Sequence, residues 1–316
     1  MSERQTLSPD AREVLISVNP TAGVGAMDVE VKRLVELLGA RDFNAQVLTD
    51  LDEVSAQANQ MHRDGTLRAL VGVGGDGTAA ELVNRTEPGV PITMLPGGTE
   101  NLLARYLQLR RSADALAEII AAGRFIRLDA GRAGERLFLL MIGCGFDAEV
   151  VRRLEEQRTG HIGHYSYARP IVETVAHYEY PKMVIYSSDS EARQQPSESL
   201  PSSACWIFAF NLPCYAWGFR FAPEATGTDG LLDVCTFRRG TRWHGLRYFS
   251  ALVLRRHRRL ADCRFFRSGR LRIEAEAKVP YQLDGDFAGY LPVEVEVVPR
   301  RLTFVVPSDT AERLGE

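Results

Sequence analysis

The first ~130 residues alternate short apolar runs with stretches of helical periodicity. Val14 to Val18 reads as a strand, and Asn19-Pro20-Thr21-Ala22-Gly23 as the turn that ends it. Beyond the turn Asp28 is a candidate helix cap, and Val31, Leu34, Val35 and Leu38 recur at helical spacing. Ala45 to Leu48 reads as a second strand ending at Thr49, residues 52–63 as a helix, Leu70 to Val73 as a third strand and Pro91 to Leu95 as a fourth. Helices are expected over 101–107 and 113–122. Strand, turn and helix in succession predict right-handed crossovers and a parallel sheet. Three of the loops, 19–23, 74–78 and 96–99, follow strand C-termini, the edge where open α/β sheets bind ligands.

After Phe125 the pattern changes. Arg136 to Gly143, Lys182 to Ser187, Cys205 to Leu212, Leu231 to Phe237, Leu271 to Ala277 and Val293 to Val298 read as strands joined by turns, with helices only near 148–157, 165–177 and 242–260. The expected fold is an N-terminal α/β domain with a parallel sheet, plus a mainly antiparallel β-sandwich domain. Boundaries fall near 12–129, with about 299–310 returning to the first domain, and 130–298. Ser187 to Ser203, rich in Ser, Gln, Pro and Glu, reads as an exposed loop.

With 316 residues, 45% hydrophobic and 25% charged, the composition is that of a globular chain large enough for two cores. The polar start (Ser2, Glu3, Arg4) carries no apolar signal region, and Leu137 to Phe146, the longest apolar run, is too short to span a bilayer. The five cysteines form no C-x-x-C pair and read as free thiols, so a cytoplasmic protein is expected. Charge is uneven. Arg238 to Arg272 holds twelve Arg, no Lys and one acid, a formal +11, which leaves −14 on the rest of a chain whose net charge is −3.

The candidate chemistry centres on Gly74-Gly75-Asp76-Gly77-Thr78, after the third strand, with Ala79-Ala80 opening a helix. Glycines let backbone approach a ligand, and a helix N-terminus offers unpaired N–H groups and a positive dipole end to phosphate. A carboxylate in such a loop calls for a cation or a transferable proton beside it. There is no G-x-x-x-x-G-K-[ST]. His62-Arg63-Asp64 lacks the Asn and the Gly-rich hairpin of a protein kinase, and His161-Ile162-Gly163-His164 lies mid-chain with no nearby carboxylate.

Taken with its companions, the loop resembles that of the diacylglycerol kinase catalytic-domain family, which includes bacterial lipid kinases and sphingosine kinases. The motifs are Asn19-Pro20-x-Ala22-Gly23, the GGDGT loop, Pro96-Gly97-Gly98-Thr99-x-Asn101, Asp129, Phe146-Asp147, Gly160 to Tyr167, Pro223-x-Ala225…Asp229-Gly230-x-Leu232-Asp233 and Asp284-Gly285-Asp286, in order over roughly residues 14–305. NAD kinases and phosphofructokinases share the glycine loop and are the alternative, as is a non-catalytic nucleotide-binding protein of the same fold.

The resemblance implies an ATP-dependent lipid kinase acting on diacylglycerol or a related lipid alcohol, with the nucleotide held between the domains. Its implied nucleotide contacts are Asn19, Pro20, Thr21, Ala22, Gly23, Thr49, Gly74, Gly75, Asp76, Gly77, Thr78, Ala79, Ala80 and Thr99. Asp286 takes the position of proton acceptor, and Asp284 is near enough to share or own that role. Asp76 is the candidate for catalytic Mg²⁺, through water and together with Asp129. A second, structural Mg²⁺ maps onto Asp229 with the carbonyls of Thr226 and Leu231, although a plain Asp-Gly turn explains the same residues. Two departures bear on the substrate. Leu102 stands where many lipid kinases have Asp, and Tyr215-Ala216-Trp217-Gly218 replaces a glycine-rich stretch.

Residues 242–260 place Trp243, Leu246, Phe249, Val253 and Leu260 near one helical face with arginines mostly elsewhere. One reading packs that apolar face on the β domain. The other lays the segment Arg238–Arg272 on an anionic membrane, which would put the protein at the inner membrane face. No nucleic-acid motif accompanies it, and oligomeric state, including a homodimer, is open.

Overall fold

A computed structural model describes residues 5–18, 26–156, 168–187, 202–215, 219–254 and 256–315. The chain divides into two units, Met1–Leu128 with Arg300–Glu316, and Asp129–Pro299.

The first unit contains β1 (Glu13–Val18), α1 (Ala26–Gly39), β2 (Asn44–Leu48), α2 (Leu51–Arg63), β3 (Leu67–Gly74), α3 (Asp76–Arg85), β4 (Pro91–Pro96), α4 (Leu102–Tyr106) and α5 (Ala113–Ala122). Its sheet runs β2-β1-β3-β4, all parallel, and ends on the C-terminal part of a late strand, β18 (Val293–Val305), which lies parallel to β4 through Thr303↔Pro91 and Phe304↔Ile92. Strand β3 is buried along its whole length, as an interior parallel strand covered on both faces must be. On one face Val14, Ile16, Val71 and Leu95 pack with Leu34 and Leu38 of α1 and Leu116 and Ile120 of α5. Because β2 and β3 flank β1 on opposite sides, the C-terminal ends of β1 and β3 border the point where the strand order reverses.

Helix starts follow their caps. The Asp50 carboxylate accepts from the N–H groups of Asp52 and Glu53, both at 2.9 Å, and opens α2. Asp28 does not cap α1. That helix is already formed at Ala26, and Asp28 sits in its first turn, where a negative charge still suits the dipole.

The second unit is mainly antiparallel β. It begins within β5 (Phe125–Ala133) and continues through β6 (Arg136–Phe138), β7 (Met141–Gly145), α6 (Phe146–Glu156), α7 (Ala168–His177), β8 (Met183–Ser187), β9 (Ser202–Ala204) and β10 (Trp206–Phe210). A short pair, β11 (Cys214–Tyr215) and β12 (Phe219–Arg220), precedes β13 (Leu232–Phe237), α8 (Arg242–Val253), β14 (Cys263–Ser268), β15 (Arg270–Ala275), β16 (Pro280–Leu283) and β17 (Asp286–Tyr290). A last helix, α9 (Ser308–Leu314), belongs to the first unit.

One sheet of the second unit runs β14-β13-β10-β7-β16-β17, every neighbour antiparallel. The other is β9-β8-β15 continued by the N-terminal part of β18. Ile142, Ile207 and Val234 from the first meet Ile185, Ile273 and Val295 from the second in one core. Strands β5, β9, β11, β12, β14, β16 and β17 stand outside the pattern-based expectation, and β9 takes Ser202 and Ser203 out of the expected loop. Cys-Arg-Phe-Phe-Arg-Ser in β14 and the short β16–β17 pair lack a clean apolar–polar alternation. No helix among the described residues is long and apolar enough to cross a membrane.

Candidate active site

The glycine loop sits at the C-terminal end of β3, and its geometry is set by the next loop along the sheet. The carbonyl of Gly74 accepts the N–H of Gly97 at 2.9 Å, which continues the β3–β4 ladder one step past the strands. A Cβ on Gly98 would lie 2.7 Å from Cα of Gly75, so the two backbones touch where only glycine fits. Asn101, in the left-handed region at φ 50°, turns its side chain back on the same loop. Its Oδ1 accepts from the N–H of Gly98 at 2.9 Å and its Nδ2 donates to the carbonyl of Gly98 at 2.6 Å.

Asp76 completes this clasp. Its Oδ2 accepts the N–H of Leu102 at 2.9 Å and its Oδ1 that of Leu103 at 2.8 Å, so the first residue of α3 caps α4. Burial raises its pKa above the ordinary carboxylate value of 3.8, against the pull of those backbone donors and of Arg105. The cap residue of α3 is Gly75, which has no side chain to satisfy the first-turn N–H groups. The loop therefore presents backbone donors at a helix N-terminus. Gly77 and Thr99 are exposed, and Gly75, Asp76 and Thr78 are half-buried. Ala79 and Ala80 are buried and hold α3 against the sheet. Thr49 is exposed at the end of β2, directly before the Asp50 cap. Asn19, Pro20, Thr21, Ala22 and Gly23 lie outside the described residues, as do Gly160 to Tyr167 with the His161/His164 pair and most of Ser187 to Ser203.

In the second unit Asp284 and Gly285 form the two-residue turn of the β16–β17 hairpin. Both have positive φ, 54° and 97°, as a type I′ turn requires, and Leu283 pairs with Asp286 across it. The two acids differ in situation. The Asp284 carboxylate accepts three backbone N–H groups, from Leu139 at 2.6 Å, Leu140 at 2.8 Å and Met141 at 2.9 Å. It anchors the turn on the segment between β6 and β7. The Asp286 carboxylate is exposed and faces Nη2 of the half-buried Arg136 at 3.2 Å. Such a pair opens at little cost.

Residues that no motif singles out fix this hairpin. Buried Gln282 donates from Nε2 to Asp147 at 2.9 Å and accepts the N–H of Gly285 at 2.7 Å. Glu155 of α6 accepts the N–H of Phe287 at 2.7 Å. Beside Asp147 of the Phe146-Asp147 motif, a Gln two residues before an Asp-Gly turn is the sequence trace of this arrangement.

Asp129 is buried and accepts the N–H of Gly230 at 2.8 Å, while its own N–H donates to the carbonyl of Gly227 at 2.7 Å. It thus holds the loop carrying Thr226, Asp229 and Leu231. In that loop Asp229 accepts the N–H of Leu231 at 3.1 Å, and its other oxygen faces Nη1 of Arg267 at 3.6 Å. The same guanidinium reaches Asp233 at 3.1 Å and the carbonyl of Glu224 at 3.4 Å. A half-exposed guanidinium thus faces one oxygen of the carboxylate that the resemblance gives to a second Mg²⁺. Asp76 differs. Its oxygens accept backbone N–H groups only, with no ion pair among the described residues, so it fits a cation met through water. Among the described residues no cluster of three or more His, Cys, Asp or Glu forms a metal site.

Against known proteins, residues 13–133 match the diacylglycerol kinase catalytic domain, and residues 141–306 match the YegS C-terminal NAD kinase beta sandwich-like domain. The chain is 23% identical to the diacylglycerol kinase of Bacillus subtilis (strain 168), over 95% of this chain and 98% of that one. It is 27% identical to the diacylglycerol kinase of Mycobacterium tuberculosis (strain ATCC 25618 / H37Rv), over 97% and 99%. Among solved structures, a diacylglycerol kinase from Bacillus anthracis str. Sterne shares its fold with a TM-score of 0.67 at 18% identity, over 95% of this chain and 98% of that one. An NAD kinase from Archaeoglobus fulgidus in complex with ATP does so with a TM-score of 0.50 at 13% identity, over 96% and 97%. With both of its domains matched in order, the chain belongs to the diacylglycerol kinase catalytic-domain family, in its form with a YegS-type C-terminal β-sandwich.

Proposed function

We propose that the protein is an ATP-dependent lipid kinase that transfers the γ-phosphate to the hydroxyl of diacylglycerol or a related lipid alcohol. The observation that carries the reading is the clasp of two glycine loops through Asp76, Asn101 and the Gly75–Gly98 contact, beside the uncapped start of α3. Such a surface suits nucleotide phosphates, which the backbone N–H groups of 74–78 and the hydroxyls of Thr78 and Thr99 would receive. Asn19 to Gly23 and Thr49 are the further nucleotide contacts in this reading.

Transfer to an alcohol needs an aligned donor, charge neutralisation and a place for the proton. The lipid oxygen bonds to the γ-phosphorus, the bond from that phosphorus to the β,γ-bridging oxygen breaks, and ADP leaves. Asp286 receives the hydroxyl proton. Its carboxylate is exposed and faces Arg136, whereas three backbone donors occupy that of Asp284. Mg²⁺, held through water at Asp76, would supply charge neutralisation on the phosphates.

The test is an acceptor panel with γ-labelled ATP: diacylglycerol, sphingosine, ceramide and NAD. Label in a lipid and none in NAD supports the reading. Label in NAD alone overturns it.

A further inference from the structure

Helix α8 is seated on the β unit by the side opposite the one its apolar residues suggest. Tyr248 is fully buried, with its ring 4.6 Å from that of Phe237 and its hydroxyl donating to Asp262 at 2.7 Å. Gly245 is buried close against the Tyr180 hydroxyl, where a Cβ would come within 2.6 Å, and Ala251 continues the same face. The packing expectation for Trp243 and Leu246 is therefore corrected. Trp243 is 81% exposed, Leu246 55% and Leu254, one step past the helix, 63%. At 100° per residue these three fall within one stripe, away from Tyr248.

Not all twelve arginines of the segment are available to a partner. Arg239 and Arg247 pair with Asp262, Arg258 with Glu224, and Arg267 with Asp229 and Asp233. Arg238, Arg242, Arg256 and Arg259 are exposed and form no ion pair among the described residues. Two lie at the start of α8 and two just past its end. The surface is thus an apolar stripe with unneutralised cations at both ends, on a firmly seated helix.

We propose that this face of α8 docks on an anionic bilayer. Trp243, Leu246 and Leu254 enter the boundary between headgroups and acyl chains, and the four arginines meet lipid phosphates. The pairing of exposed apolar groups with uncompensated positive charge selects this occupant. A protein partner or a second copy would leave the arginines without anions unless it brought acids to match. Each basic residue at such a surface contributes roughly five-fold in binding, and salt screens that part within about 10 Å. The inference rests on the lipid-kinase reading for its purpose but not for its measurement.

The full chain, without ATP, is mixed at low salt with vesicles of phosphatidylcholine alone or containing about 30% phosphatidylglycerol. Binding to the anionic vesicles is expected to be at least about ten-fold tighter, to weaken as salt rises, and to shift Trp243 emission to the blue. The Trp243→Glu/Leu246→Glu variant, altered only at exposed positions, should bind at least about ten-fold more weakly with its thermal unfolding unchanged. Equal binding to both vesicles, or full binding by the variant, overturns the inference. So does a dimer that the variant disperses without any vesicle binding by the wild type. Transfer to detergent-dispersed diacylglycerol should survive in the variant. If the wild type binds anionic vesicles but transfers nothing to dispersed lipid, the kinase reading fails and the docking surface stands.

Discussion

Replacing Asp76 with alanine would strip two backbone N–H groups at the start of α4 of their acceptor, with no other side-chain cap on that helix. The expected loss is about 2 kcal/mol, read by urea unfolding, with a smaller loss for Asp76→Asn, which keeps one acceptor oxygen. The charge has its own signature. Burial raises the Asp76 pKa in the folded chain, so the native state holds this proton more tightly than the unfolded one. Between the ordinary value and the raised one the folded state binds more protons, and stability contributed by this group falls as pH rises through that window. Asp76→Asn lacks that titration. Denaturation midpoints followed from about pH 4 to pH 7 should therefore fall less, or rise more, in Asp76→Asn than in the wild type. Identical pH profiles would place the Asp76 carboxyl outside the buried setting described.

The β16–β17 hairpin separates two acids that its sequence presents as equivalent. Asp284→Ala leaves three backbone donors without their acceptor and should cost about 3 kcal/mol, seen as a lowered unfolding midpoint. Asp286→Ala removes an exposed group and should change stability by no more than about 0.5 kcal/mol. Gly285→Ala forces a Cβ into φ 97° and should cost more than about 1 kcal/mol although nothing crowds the site. If Asp286→Ala unfolds the chain as readily as Asp284→Ala, the division of labour drawn here is wrong. The Asp-Gly pair signals a turn and its neighbour a candidate base, but which acid is tied down depends on residues 139–141, about 145 positions earlier. No local pattern carries that information.

Across the molecule, what the sequence makes legible is whatever repeats locally. Alternating apolar runs and helical stripes at 14–122 give the parallel sheet, and the glycine-rich turns at 74–78 and 96–101 mark one edge of it. What it hides are pairings set by the tertiary fold, such as Asp76 with α4, Gln282 with Asp147, and Arg267 among Asp229, Asp233 and Glu224. The arginine cluster bears on metal dependence. Chelation with EDTA should leave the thermal midpoint within about 1 °C, because the Arg267 guanidinium already faces the Asp229 carboxylate. Arg267→Met, which leaves the largely buried Asp233 without its partner, should lower that midpoint by several degrees. A midpoint that drops on chelation would show a resident ion at Asp229 instead.

Phosphoryl transfer to a lipid hydroxyl, with Asp286 as proton acceptor, is read by single-turnover transfer from γ-labelled ATP to diacylglycerol. The wild type should label the lipid. Asp286→Asn, with an unchanged unfolding midpoint, should do so at least about a hundred-fold more slowly. A wild type that labels no lipid, or an Asp286→Asn variant that transfers as fast as the wild type, would contradict it.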